Sequence, residues 1–97
     1  MAELNETIHQ PVRLRIMAAL VTLEAGNEVD FTYLRDLLEV TDGNLGAHLR
    51  KLEESSYISV NIVFEDRKPH TYVSVTPEGR QVFQEHVMAL ESILKSK

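Results

Sequence analysis

Cysteine is absent from the chain, which excludes disulfide staples, thiolate metal sites and a cysteine nucleophile together. Also missing is any apolar run near the roughly 18–20 residues that a membrane span requires. The first residues, MAELNETIHQPVR, carry no basic segment followed by an apolar one, so they do not read as a secretory signal. A cytoplasmic chain without membrane contact is the expectation. No internal repeat, low-complexity tract or Pro/Gly-rich linker divides the sequence, and 97 residues suit a single domain over 1–97. A chain of that size buries roughly 60–65% of its unfolded surface. Its 43% hydrophobic and 26% charged residues place it among ordinary globular domains rather than disordered chains.

Positive charge is scarce as well. Ten Lys+Arg face fifteen Asp+Glu, a formal balance of −5, which argues against a protein that coats nucleic acid through a broad positive field. It leaves room for a small positive site on an acidic body. Residues 1–39 hold three Arg and seven acids, whereas residues 40–80 hold five bases and six acids. The acidic excess therefore lies mostly in the N-terminal part.

Catalytic signatures are missing too: no Gly-x-Ser-x-Gly elbow, P-loop or dinucleotide fingerprint occurs. The carboxylates are scattered over surface-type positions, so no enzymatic activity and no cofactor are expected. His9, His48, His70 and His86 fall on four different elements without a His-x3-His pair or HExxH, and no metal site is expected from them. A site shared across a dimer, using His86 with Glu85 or Glu91, is the one arrangement that this spacing leaves open.

What is present is periodic. Val12, Ile16, Ala19, Leu20 and Leu23 predict a helix from Pro11 to Leu23, within 10–25, closed by Gly26-Asn27. Leu14, Met17 and Val21 widen its apolar surface, which predicts a central helix covered on more than one side. Val29-Asp30-Phe31 reads as a very short strand. Tyr33 to Leu38 reads as a second helix burying Leu34, Leu37 and Leu38, with Asp30 or Thr32 as its cap. Glu39-Val40-Thr41 is a tight connection, and Thr41 caps a third helix from Asp42 to Ser55. The helix-turn-helix thus spans 32–55. Tyr57–Phe64 and His70–Thr76 are rich in Val, Ile, Tyr and Thr and bracket Glu65–Pro69, a hairpin within 57–76. Thr76 and Pro77 start a last helix over 78–95, with Phe83, Val87, Leu90 and Leu94 in a stripe. The fold class is mainly α with a small β-hairpin wing, in the order α-(β)-α-α-β-β-α: a winged helix-turn-helix.

The third helix carries the functional pattern. At about 100° per residue, Leu45, Leu49 and Leu52 gather on one side. Gly43, Ala47 and Arg50 lie opposite, with Asn44 and Lys51 at the flanks. Small residues let a helix backbone approach the edge of a major groove. Asn44 can pair with adenine, Arg50 with guanine or a phosphate, and Lys51 with a phosphate. Gly43 and Gly46 admit a second explanation, close packing on the second helix. Gly43-x-x-Gly46 also matches a KH-type loop superficially, but it sits inside leucine spacing and does not fit that fold.

The stretches HQPVRLRIMAAL, FTYLRDLLEVTDGNLGAHLRKLEESSYI and RKPHTYVSVTPEGR together resemble a compact winged helix-turn-helix transcriptional regulator. The group is small, lacks a separate effector domain, and is related to the multiple-antibiotic-resistance (MarR) and arsenical-resistance (ArsR) repressors. The resemblance covers nearly the whole chain and is most specific at Thr41-Asp42-Gly43-Asn44-Leu45, His48-Leu49-Arg50-Lys51-Leu52, and Thr76, Pro77, Gly79 and Arg80. It implies a homodimer on double-stranded DNA, with one helix of each subunit in successive major grooves. It implies DNA contacts from Thr41, Asp42, Gly43, Asn44, Ala47, His48, Arg50 and Lys51, and from Arg67 and Lys68 on the wing. Tyr33 or Arg35 is a further phosphate candidate. The dimer contact is expected from Phe83, Val87, Leu90 and Leu94; the alternative is that this stripe packs within its own chain. Any small effector would sit at the dimer interface. Two departures stand out: Ser55-Ser56 where the family places a glycine before Tyr57, and a wing in which Glu65-Asp66 adjoin Arg67-Lys68. The competing function is a winged-helix protein-interaction module without DNA binding, since one fold serves both.

Overall fold

A computed structural model describes residues 3–96. The elements are α1 (Pro11–Val21), β1 (Val29–Asp30), α2 (Phe31–Leu38), α3 (Asp42–Glu54), β2 (Ile58–Glu65), β3 (Lys68–Val75) and α4 (Pro77–Lys95). The sheet is antiparallel with strand order β1-β3-β2. Four helices and this three-stranded sheet make the winged helix fold that the sequence predicts. Several boundaries differ, each for a physical reason.

α1 is the central helix. Ile16, Met17 and Leu20 are buried, while Val12, Leu14, Ala19 and Val21 are half-buried around them. The Gln10 side chain caps it by accepting the Arg13 N–H at 2.8 Å, and Pro11 takes the first turn. The helix stops at Val21, not Leu23, and Gly26 (φ 88°) belongs to the following turn. Its last carbonyls are occupied from afar: the Arg80 guanidinium donates to the Val21 oxygen at 3.1 Å and to that of Leu23. Local periodicity carries no trace of a cap 57 residues away in sequence.

α2 begins two residues before its expected start because the Asp30 carboxylate accepts the Thr32 N–H at 2.7 Å. Asp30, not Thr32, is thus the cap. Leu34 and Leu38 are buried, but Leu37 is 50% exposed, contrary to expectation. Two leucines at i and i+4 suffice for a helix of eight residues facing α1 and the sheet. Glu39 then turns in the left-handed region (φ 55°).

Thr41 caps α3 by accepting the Asn44 N–H at 3.1 Å, and Leu45, Leu49 and Leu52 are buried as expected. Each such leucine contributes about 1.5–3 kcal/mol relative to exposure. The helix ends at Glu54 rather than Ser55. Ser56, at φ 65°, holds the left-handed position where a glycine was expected. The N–H groups of Ser56 and Tyr57 reach back to the Glu53 and Leu52 carbonyls.

The hairpin is tighter than its composition suggests. Only Asp66 and Arg67 form the turn, both at positive φ (50° and 66°), as in the two-residue type I′ turn that suits strand twist. The ladder therefore runs from Ile58↔Val75 out to Glu65↔Lys68. Pro69, expected in the loop, sits in β3 opposite Phe64, beyond the part of β3 that β1 pairs.

The segment Thr76 to Arg80 joins the elements. Thr76 accepts the Gly79 N–H at 2.9 Å and donates its hydroxyl to the Ser56 carbonyl at 2.7 Å. Its own N–H reaches the Tyr57 carbonyl at 3.1 Å. Gly79 is buried against that same carbonyl: a Cβ there would lie 2.0 Å from the Tyr57 oxygen. Only glycine fits.

The N-terminal segment docks on the far side of α4. Ile8 is fully buried in the core. Asn5 donates its N–H to His86 Nδ1 (3.0 Å) and its side-chain amide to the Tyr57 hydroxyl (3.1 Å), and its Oδ1 accepts the Ile8 N–H (3.0 Å). His86 is 1% exposed. Burial, and secondarily His9 beside it, pushes its pKa below the usual histidine range. His48 is lowered too, first by burial and then by Arg13, whose Nη1 lies 3.1 Å from His48 Nδ1.

Replacing Gly79 by Ala is expected to cost about 1–3 kcal/mol of stability or more, measured by urea denaturation; an unchanged midpoint would refute the close approach to Tyr57. A second outcome concerns pH. His86 and His48 bind protons less readily folded than unfolded, so stability falls as pH drops below the unfolded value of about 6.5. The urea midpoint is expected to be lower at pH 5.5 than at pH 7.5, with a shallower difference in His86→Gln.

Candidate nucleic-acid interface

Along the outer side of α3, Thr41, Asp42, Gly43, Asn44, Ala47, Arg50 and Lys51 are all exposed. A Cβ built on Gly43 or Gly46 would meet nothing within 4 Å. Close packing on α2 therefore does not account for either glycine: Gly46, inside the helix, costs about 1 kcal/mol relative to Ala, while Gly43 stands in the first turn. Among the described residues nothing packs where either side chain would stand.

The cations of the site differ in availability. Among the described residues, Arg50, Lys51, Arg67 and Lys68 enter no ion pair, whereas Arg35 enters two. Arg35 Nη1 holds Asp42 Oδ1 at 2.8 Å and its Nε holds Asp36 Oδ1 at 3.0 Å. These carboxylates, Asp42 foremost, raise the Arg35 pKa above its usual value. Asp42 thus brackets α2 to α3 in the first turn of α3, where its charge also suits the helix dipole. Of the two α2 candidates only Tyr33, at 59% exposure, is unengaged.

His48 is separated from the outer face. It is half-buried on the flank toward α1, held against Arg13 and kept neutral by its surroundings. Arg67 stands in the wing turn and Lys68 follows it opposite Glu65. Glu65 is turned to one face of the hairpin, where it accepts the Tyr72 hydroxyl at 2.9 Å. Between α3 and the sheet runs a groove of about 280 Å³ bordered by Phe31, Gly46, Leu49, Arg50, Glu53, Val60 and Thr71. Beyond it on the wing, Ile62 and Phe64 are exposed. The sequence reading assigned them no role, although the alternation 58, 60, 62, 64 placed both on the core-facing side of the strand.

The α4 stripe is only partly covered. The residues that α4 buries are Gly79, His86 and Ala89. Phe83, Val87 and Leu90 are half-buried, while Leu94 is 81% exposed, with Met88 and Ile93 beside it. Val21, Arg80, Phe83, Gln84, Val87 and Met88 line an open groove of about 430 Å³.

His86 does not fit the intersubunit metal arrangement. Its Nδ1 accepts the Asn5 N–H, so in the neutral ring the proton sits on Nε2, 3.4 Å from His9 Nδ1. That proton occupies the lone pair a metal would need, and burial keeps the ring from a partner. Among the described residues no cluster of three metal-ligating side chains occurs, and no helix is long and apolar enough to cross a membrane.

Residues 12–94 match the family described as the winged helix DNA-binding domain. An uncharacterized protein of Methanocaldococcus jannaschii is 33% identical over 85 residues, spanning 88% of this chain and 89% of that protein. Among solved structures, the transcriptional regulator homologue protein from Pyrococcus horikoshii OT3 is similar at a TM-score of 0.84 and 29% identity, covering 93% of this chain and 86% of its own. The transcriptional regulator BldR from Sulfolobus solfataricus is similar at a TM-score of 0.70 and 25% identity, covering 88% of this chain and 58% of its own.

Proposed function

The chain belongs to the winged helix DNA-binding domain family, and from that premise we propose that it is a cytoplasmic, sequence-specific regulator that binds double-stranded DNA as a homodimer. The observation that carries this reading is the outer face of α3. Gly43 on that face and Gly46 on its flank, beside the groove, have nothing within 4 Å of where a Cβ would stand, and Arg50 and Lys51 are unpaired among the described residues. A backbone left that bare gains only from something outside the chain.

In this reading α3 lies in the major groove, with Gly43 and Ala47 at the groove edge. Asn44 and Arg50 address base edges and Lys51 a phosphate. Thr41 and the first N–H groups of α3 hold a phosphate at the helix N-terminus. Asp42 acts through Arg35 by fixing the angle between α2 and α3. His48 takes a similar indirect part through Arg13, as a neutral acceptor rather than a direct contact. Arg67 and Lys68 reach the flanking backbone or minor groove. The stripe of half-buried Phe83, Val87 and Leu90 and exposed Leu94 supports dimerisation through α4, since an isologous pair of helices buries the same apolar face twice.

Selection of bound duplexes from a random DNA pool, at several salt concentrations, tests the whole reading. A palindromic site with half-sites about one helical turn apart is expected. No enrichment would instead favour a protein-interaction module. On the selected duplex, Arg50→Ala is expected to cost about 1–3 kcal/mol and relax preference at one position; unchanged affinity removes Arg50 from the interface. Leu94→Glu is expected to shift the sedimentation mass from dimer to monomer with little change in thermal stability, because Leu94 is exposed in the single chain. A persistent dimer refutes the α4 contact.

A further inference from the structure

The outer half of the wing has one apolar and one polar face, and the apolar one is uncovered. Ile58 and Val75 pair in the core, followed outward by Val60 with Val73, Ile62 with Thr71 and Phe64 with Pro69. Directly opposed residues of an antiparallel pair share a face, so these pairs form one strip from the core to the tip. Ile62 is 61% exposed and Phe64 74%. On the reverse face the Tyr72 hydroxyl donates to Glu65 (2.9 Å), and His70 Nδ1 lies 3.8 Å from Asp30. Tyr72 and His70 have polar partners there; Ile62 and Phe64 on the other face stand exposed.

The strip continues the groove beside α3, since Val60 and Thr71 border that groove together with Gly46 and Arg50. Arg67 stands in the turn at its outer end, while Lys68, paired with Glu65, lies on the reverse face. Charge alone cannot make this region a strong anion site. The exposed cations Arg50, Lys51, Arg67 and Lys68 are matched by the exposed Glu53, Glu54, Glu65 and Asp66. A duplex seated here meets no net positive charge and a continuous apolar surface.

We propose that Ile62 and Phe64 are DNA-contacting residues. With α3 in the major groove, they pack against the deoxyribose faces and minor-groove wall of the flanking duplex. The inference rests on the DNA-binding reading above and adds to it a contact that does not depend on phosphate charge. Sugar edges present the C–H surface that apolar side chains cover, and apolar residues reaching a minor groove favour steps that deform readily. Arg67, in the turn at the end of the strip, is placed for a neighbouring phosphate.

The test uses full-length protein and the selected duplex, with affinity read by fluorescence anisotropy over a salt series. Phe64→Ser is expected to weaken binding about tenfold while leaving the slope of log affinity against log salt unchanged. Arg67→Ala is expected to reduce that slope by about one. Phe64→Leu retains most of the affinity, and Asn61→Ala, on the reverse face, binds as wild type. Circular dichroism melts that match wild type keep a loss of binding from being a loss of fold. Wild-type affinity in Phe64→Ser, with Arg50→Ala still impaired, overturns the proposal and leaves the DNA reading standing. A change of sedimentation mass in Phe64→Ser without a change in DNA affinity also overturns it, assigning the strip to a protein contact. Wild-type protein that enriches no duplex overturns the DNA reading and this inference together.

Discussion

The carbonyl of Tyr57 decides how the parts of this domain meet. It accepts the Thr76 N–H, and it lies so close to Gly79 that no side chain fits between them. The entry to β2, the exit from β3 and the first turn of α4 are thus held at one point. The Thr76 hydroxyl ties in the exit of α3 through Ser56, and Arg80, one residue past Gly79, closes the end of α1. Helix α3 and the wing hairpin are therefore set relative to each other largely by backbone contacts. In the function proposed above, a duplex rewards such stiffness, because helix and wing must fit it at once.

Electrostatics follows from the same architecture. Arg13, Arg35 and Arg80 are engaged inside the chain, on a backbone carbonyl and His48, on Asp36 and Asp42, and on the end of α1. The unpaired cations that border the groove and the wing are few and interspersed with acids. A DNA-binding winged helix with a formal charge of −5 has little long-range attraction to offer. In the proposed function its discrimination comes from close fit, and a low affinity for random duplex is the expectation.

Much of this was legible in the sequence because it is local. Leucine spacing on α3, the Thr41 and Thr76 caps and the proline at the start of α4 are properties of neighbouring residues. What was not legible depends on distant ones. The end of α1 at Val21 needs Arg80, and the fate of His86 needs Asn5. Leu37 fits the helical pattern yet stays half exposed at the rim of a pocket beside Leu23 and Val29. The hairpin turn hid behind composition: Glu65–Pro69 reads as loop throughout, but two residues at positive φ are enough to reverse the chain. Ile62 and Phe64 read as ordinary strand residues because alternation tells which face a side chain occupies, not whether anything covers it.

The docking of the N-terminal segment has a consequence for synthesis. Asn5 binds His86 and Tyr57, and Ile8 completes the core. A segment made first therefore waits on the ribosome for partners made much later. The helix-turn-helix is built from near neighbours and closes quickly, whereas joining residue 5 to residue 86 closes a loop nearly as long as the chain. Until α4 has emerged past its midpoint, the nascent domain holds α3 without the contacts that Asn5 makes to His86. Docking of the segment around Asn5 and Ile8 has to wait for α4.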